Sequence, residues 1–317
     1  MQKRTLGRSE IDIAPLAFGG NVFGWTADEP QSLALLDRFV EQGFNAVDTA
    51  DVYSAWAPGN TGGESETVIG RWLAKRGRRD DVVLMTKVGM LEARKGLSAR
   101  NIEAALDDSL RRLKTDYVDV YFAHIDDQDV ALDETLEALD RTVKSGKVRA
   151  IGASNYAPDR VRLALQTAED KNLTRYEIIQ PRYNLYDRQD FENGTAQVAL
   201  DQRLGVVTYF SLASGFLTGK YASKADANRT ARAGMLEKYF DERGMRILQA
   251  LRDVAAQHGA TPAQVALSWL IAKPAVTAAI VSATKLEQLD DLMGAATLSL
   301  PADAMSRLDE ASHVAPL

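Results

Sequence analysis

Four side chains of different chemistry stand where apolar runs of the sequence stop: Asp48, Tyr53, Lys87 and His124. A phenol titrates near a pKa of about 10, too weak an acid to protonate a developing alkoxide at neutral pH, but a nearby ammonium stabilises the phenolate and lowers that value. Lys87 can supply the ammonium. Asp48 would pair with it, because an isolated buried lysine tends to lose its proton. His124 could donate a hydrogen bond to a carbonyl oxygen and hold a substrate. Together the four describe a polarised proton donor. Each alone also suits a plainer role: Asp48 as a cap or turn residue, Tyr53 as an interface side chain, Lys87 as a snorkelling cation and His124 as a satisfied polar group beside the core.

A carbonyl that is protonated as it is reduced also needs hydride, which no side chain provides, so a cofactor must carry it. Ser154, Asn155 and Gln180 offer hydroxyl and amide groups suited to a carboxamide, and Tyr209 offers a flat face for a nicotinamide ring. The segment 211–220, SLASGFLTGK, has the small residues and backbone donors that a pyrophosphate can approach.

These residues must be positioned by a repeating frame. Apolar β-type runs start at Pro15, Asn45, Val82, Tyr117, Val148, Tyr176, Val206 and Val276. Helical patterns lie between them over 31–41, 63–75, 98–113, 133–145, 158–171, 192–203, 241–258 and 285–294. The early runs recur at about the length of one βα unit, which returns each strand parallel to the last. The alternation predicts an α/β fold, a closed (β/α)8 TIM barrel, in which all strand carboxyl ends open on one face. No GxGxxG follows any run, which argues against a Rossmann sheet. The stretches 2–6 and 11–13 around Gly7-Arg8-Ser9 predict an N-terminal β-hairpin capping the barrel base. The gap between the seventh and eighth runs is about twice the others, and 211–238 reads as an insertion over the mouth. Its long loop after strand seven, 215–239 with Arg229 and Arg232, is a candidate lid. Trp25 and Trp56 follow the first and second strands as candidates to line a substrate pocket, with Phe23 and Ile125 as weaker ones. An amphipathic stretch covers 302–312, and no linker composition divides residues 1–317, so one domain is expected.

Composition narrows the partners. Among 317 residues, 38 Lys plus Arg stand against 44 Asp plus Glu, a net charge of −6 with the basic residues scattered. Nucleic acid needs a concentrated positive face, so small molecules are the expected partners. The absence of Cys removes disulfides, thiolate zinc sites and thiol nucleophiles, and suits a reducing cytoplasm. No stretch reaches the roughly 18 apolar residues of a membrane span, and no signal-peptide pattern opens the chain. No HExxH spacing suggests a metal, Ser109, Ser214 and Ser268 lack a nucleophile elbow, and His258 and His313 read as structural.

The sequence resembles the aldo-keto reductases over almost its whole length. The likeness rests on LAFGGNVFG (16–24), FNAVDTADVYS (44–54), GGESETVIGRWL (62–73), VVLMTKVG (82–89), YVDVYFAHID (117–126), VRAIGASNY (148–156), IIQPRYNLYDR (178–188) and VVTYFSLASGFLTGKY (206–221), in order. The resemblance implies NAD(P)H-dependent, reversible reduction of aldehydes and ketones, with Asp48, Tyr53, Lys87 and His124 as a catalytic tetrad and Tyr53 as general acid. It implies Ser154, Asn155 and Gln180 on the carboxamide, Tyr209 stacked on nicotinamide, and Ser211, Leu212, Gly215 and Leu217 along the pyrophosphate with Lys220 close by. Gly20 and Asn21 match positions near the cofactor. The chain departs from the commoner family pattern at Ile125-Asp126-Asp127, which alters the substrate rim, and at VSATKLEQLDDL (281–292). There Lys285 could meet a 2′-phosphate, with Ser282 and Thr284 as hydroxyl donors and Gln288 on the first helical turn, which favours NADPH with NADH as the alternative. Some barrels of the family resemble channel-associated proteins, so a cofactor-binding regulatory or sensor subunit is a second reading; the complete tetrad and the lack of an added N-terminal segment weigh against it. An unrelated phosphate-binding barrel isomerase is a third.

Overall fold

A computed structural model describes residues 1–221, 223–227 and 233–314. A two-stranded antiparallel hairpin, β1 (Arg4–Thr5) with β2 (Asp12–Ile13), precedes the barrel. The barrel strands are β3 (Leu16–Gly19), β4 (Ala46–Asp48), β5 (Val83–Val88), β6 (Val118–Ala123), β7 (Val148–Ser154), β8 (Tyr176–Gln180), β9 (Gly205–Thr208) and β10 (Ala278–Val281). Neighbours pair in parallel, and β10 closes on β3 through Ala279 opposite Leu16. The helices are α1 (Glu29–Glu41), α2 (Glu64–Arg76), α3 (Ala99–Leu113), α4 (Leu132–Lys144), α5 (Pro158–Asp170), α6 (Ala196–Asp201), α7 (Lys224–Ala227), α8 (Ala233–Leu236), α9 (Glu242–His258), α10 (Pro262–Ile271), α11 (Leu286–Met293) and α12 (Ala302–Ser312). Each of the eight apolar runs contributes one barrel strand, so the closed (β/α)8 architecture and the hairpin are as the sequence led us to expect.

Strand alternation explains how the barrel is filled. Successive side chains point to opposite faces. Ala17, Ala46, Met85, Val120, Phe122, Ala150, Ile178, Val207 and Ala278 form the inner cluster, whereas Phe18, Val47, Leu84, Tyr121, Ile151, Ile179 and Val206 join the layer under the helices. Two residues beyond an inward apolar position, the inward parity reaches the mouth. Ala46 leads to Asp48, Met85 to Lys87, Phe122 to His124, Ile178 to Gln180 and Val207 to Tyr209.

The base is sealed by the hairpin. Leu6, Ile11 and Ile13 are buried in the inner cluster. Arg4 donates to the carbonyls of Ile271 at 2.8 Å and Val276 at 3.2 Å, and the Asn45 side chain accepts from Ala14 N at 3.0 Å and donates to Asp12 O at 2.9 Å. Gly7 turns with φ +61°, and a Cβ there would lie 2.3 Å from Glu177 O, so the turn lies against the strand ends.

Three elements differ from expectation. The helix anticipated over 192–203 is shortened to α6, because the wide turn Phe191–Thr195 carries non-helical Asn193 and Gly194, the latter at φ +115°. An additional helix, α10, stands between β9 and β10; it is buried nearly all round and so lacks the apolar stripe that marks a surface helix. Its start signal was readable: Thr261 and Gln264 exchange capping-box bonds of 3.2 and 3.1 Å. The long loop after β9 contains the short α7 and α8, and the lid candidates Arg229 and Arg232 lie outside the described residues. Among the described residues no helix is long and apolar enough to cross a membrane.

Helices α2 and α3 meet at Gly70, where a Cβ would stand 2.0 Å from Arg112 O. Gly70→Ala should therefore overpack this contact and cost on the order of 3 kcal/mol, read as a lower urea midpoint; an unchanged midpoint would contradict so close an approach.

Candidate active site

The β4–β5 ladder runs past the end of β4: Thr49 N donates to Met85 O at 2.8 Å and Asp51 N to Lys87 O at 3.3 Å. A turn closed by Tyr53 N on Ala50 O, 3.1 Å, then brings the phenol back over Asp48. Ser54 follows at φ +74° and is held there by its hydroxyl, which donates to Phe23 O at 2.5 Å.

Lys87 lies at the centre of the site with its side chain wholly buried. Its Nζ donates to Asp48 Oδ2 at 2.7 Å, to Thr49 O at 2.7 Å and to Tyr53 OH at 3.0 Å. The Tyr53 hydroxyl donates to Asp48 Oδ2 at 3.1 Å, and Gln180 Nε2 donates to Asp48 Oδ1 at 2.8 Å. Burial pushes the Lys87 ammonium down, and the Asp48 carboxylate pushes back. The Tyr53 phenol is held well above its ordinary value, first by burial and then by the negative charge of Asp48. This corrects the expectation of a lowered phenol: the neighbouring ammonium does not outweigh burial and the carboxylate.

His124 caps β6, its N–H on Val88 O at 2.9 Å, and its ring centroid is 6.1 Å from that of Tyr53. Its Nδ1 is buried without a partner among the described residues. Burial, then the charge of Lys87, pushes the imidazole well below its ordinary value, so it is neutral at physiological pH.

On the next strands Ser154 Oγ donates to Gln180 O at 2.9 Å, and Asn155 Nδ2 donates to His124 O at 2.8 Å. Tyr209 OH donates to Asn155 Oδ1 at 2.6 Å. A cavity of about 560 Å³ opens beside Asn155, Gln180 and Tyr209 toward Pro158 and Asn193. The segment after β9 runs through left-handed Ala213, Ser214 and Gly215, and a Cβ on Gly215 would lie 3.3 Å from Lys220 Nζ. Ser211 donates to Thr208 O at 3.2 Å, Leu212 is half-buried, and the Leu217 side chain is in the core, so Leu217 can offer a ligand only its backbone.

Gly20 O accepts from Ser65 Oγ at 2.8 Å, beside Asn21. Ser282 Oγ reaches Gly19 O at 2.8 Å and Asn21 Oδ1 at 2.7 Å, so its proton is used inside the protein rather than offered to a ligand. Gln288 Oε1 accepts from Thr284 N at 3.1 Å, and Lys285 is exposed at the start of α11. At the mouth Trp56, 49% exposed, packs edge-on to Tyr53 at 6.0 Å and to Trp25 at 5.8 Å. Ile125 is half-buried, whereas Phe23 is wholly buried and stacks on Phe18 at 5.2 Å, which removes it as a substrate contact.

Two acids escaped the sequence reasoning. Asp51 and Glu66 are buried, Glu66 accepting from Arg112 Nε at 2.7 Å and from Thr86 Oγ1 at 2.6 Å. The available signal was Glu66 at helical spacing from Ile69 and Leu73, an acid on an apolar face.

Residues 15–313 match the model of the Aldo/keto reductase family. The chain belongs to that family. The chain is 35% identical to the uncharacterized oxidoreductase YrpG of Bacillus subtilis (strain 168), with 98% of this chain and 95% of that protein covered. It is 30% identical to the L-glyceraldehyde 3-phosphate reductase of Escherichia coli O157:H7, covering 99% and 93%. It is also 33% identical to a probable voltage-gated potassium channel subunit beta of Oryza sativa subsp. japonica, covering 93% and 91%. The aldo/keto reductase fold and these relatives support an oxidoreductase, in a family that generally uses NAD(P)H.

The depressed imidazole has a direct readout. In a two-dimensional NMR titration of the protein from pH 8 to 5.5, the His124 ring signals should stay in the neutral position; a midpoint near the ordinary histidine value would contradict this burial.

Proposed function

We propose that the protein reduces aldehydes and ketones to alcohols, and oxidises alcohols in reverse, with NAD(P)H as the hydride carrier and Tyr53 as the general acid. The observation that supports this most is the bridging of Lys87 Nζ between Asp48 Oδ2 at 2.7 Å and Tyr53 OH at 3.0 Å. A bound nicotinamide supplies the hydride that the side chains lack. Tyr53 gives its proton to the carbonyl oxygen as charge builds there. The ammonium already donating to the phenol oxygen stabilises the phenolate left behind, and Asp48 keeps that ammonium charged. His124 is neutral, and with Nδ1 enclosed it is Nε2 that is left to meet the carbonyl oxygen.

The donor set suits a nicotinamide cofactor. Among the described residues Gln180 Oε1 has no hydrogen-bond partner, while Ser154 and the Asn155 amide lie beside it. Tyr209 presents the ring face, and Ser211, Leu212, Gly215 and Leu217 offer backbone along the pyrophosphate beneath the Lys220 ammonium. Gly20 and Asn21 border the same path. Lys285, with Thr284 and Gln288, would take the 2′-phosphate of NADPH. Trp25, Trp56 and Ile125 would flank the carbonyl substrate. The similarity to a channel subunit supports a second reading, a cofactor-binding regulatory subunit with little turnover.

Tyr53→Phe should bind cofactor with unchanged affinity, measured by fluorescence titration. It should lose carbonyl-dependent absorbance at 340 nm by a factor of roughly 10² to 10⁴, and wild-type turnover in this variant would refute the acid assignment. Tight cofactor binding by the wild type, without turnover on any of a panel of aldehydes, ketones, sugars and quinones, would favour the regulatory reading. Lys285→Ala should raise the KM for NADPH roughly tenfold and leave that for NADH unchanged.

A further inference from the structure

Asp51 is a buried acid that the proposed proton transfer does not use. It lies between Asp48 and Tyr53 in the chain, is 2% exposed, and its Oδ1 has no hydrogen-bond partner among the described residues. Its backbone N–H is joined to Lys87 O at 3.3 Å. Its charge is felt by Lys87 on β5 and the Tyr121 phenol on β6, and its own ionisation is set by Glu66 on α2, Arg112 on α3 and Arg94 in the turn Glu92–Arg94. Of the two cations on the helix side, Arg112 is taken by Glu66 at 2.7 Å and Arg94 by Asp108. An ionised Asp51 therefore acts on the buried ammonium of Lys87, which has no solvent to screen it.

We propose that Asp51 is a positioning residue for the Lys87–Tyr53 pair: its carboxyl ionises behind the ammonium and holds both groups protonated further into the alkaline range. The proposal rests on the reading of Tyr53 as the acid. Its sign follows from charge alone. A negative group beside Lys87 favours the ammonium and disfavours the phenolate. Burial, then the charge of Glu66, pushes the Asp51 carboxyl up to about 7. The bias is thus absent in mild acid and present above neutrality, where a phenol acid would otherwise begin to fail.

The test is the pH dependence of kcat/KM in both directions for the wild type and Asp51→Asn, which keeps the shape and removes the charge. In the variant the alkaline limb of carbonyl reduction should move down by about half to one pH unit, and alcohol oxidation should gain at the same pH. The neutral-pH kcat should stay within about threefold, and the thermal midpoint should be close to that of the wild type. Superimposable profiles would overturn the proposal while leaving the acid role of Tyr53 to the Tyr53→Phe result. The wild type supplies a readout that needs no variant. The ¹³Cζ resonance of Tyr53 should shift in a step near pH 7, where the Asp51 carboxyl titrates, before the phenol itself ionises. A flat baseline there would also overturn it.

Discussion

An ammonium without solvent contact must find acceptors for its protons or lose its charge, and Lys87 finds three: a carboxylate, a backbone carbonyl and a phenol. Taking such a charge out of water costs several kcal/mol unless partners are held in good geometry. The second oxygen of Asp48 is in turn held by Gln180, 132 residues away. Strands β4, β5 and β8 and the loop to Tyr53 are therefore tied to one cluster. A closed ring of strands brings its second, third and sixth members, β4, β5 and β8, within hydrogen-bond reach across its interior.

The same cluster decides how the phenol behaves. Proximity to an ammonium suggested an acidified tyrosine, yet the carboxylate that keeps the ammonium charged also lies within hydrogen-bond distance of the hydroxyl. Burial opposes the phenolate as well. The resting side chain is a firmly protonated phenol whose oxygen already receives a hydrogen bond from Lys87. Of these neighbours only the Lys87 ammonium favours the phenolate, and its hydrogen bond strengthens as negative charge builds on that oxygen.

Much of this was legible because β-structure has a period of two. Once Ala46, Met85, Phe122, Ile178 and Val207 are inside, the residues two places on must face the mouth, and those are Asp48, Lys87, His124, Gln180 and Tyr209. Contacts between elements carried no such signature. Nothing in the spacing told that Ser282 spends its hydroxyl on the first barrel strand, that Phe23 and Leu217 turn into the core, or that Asp51 is enclosed; only Glu66 had a signal, its place on the apolar face of α2. α10 was hidden for the opposite reason: an element buried all round shows no periodic face.

The hairpin and the inner apolar cluster give the barrel a floor of hydrocarbon beneath the charged residues. The vessel is a flask rather than a tube. On the proposed reading, substrate, product and the proton that recharges Tyr53 would all share its one neck, beside Trp56 and Tyr209.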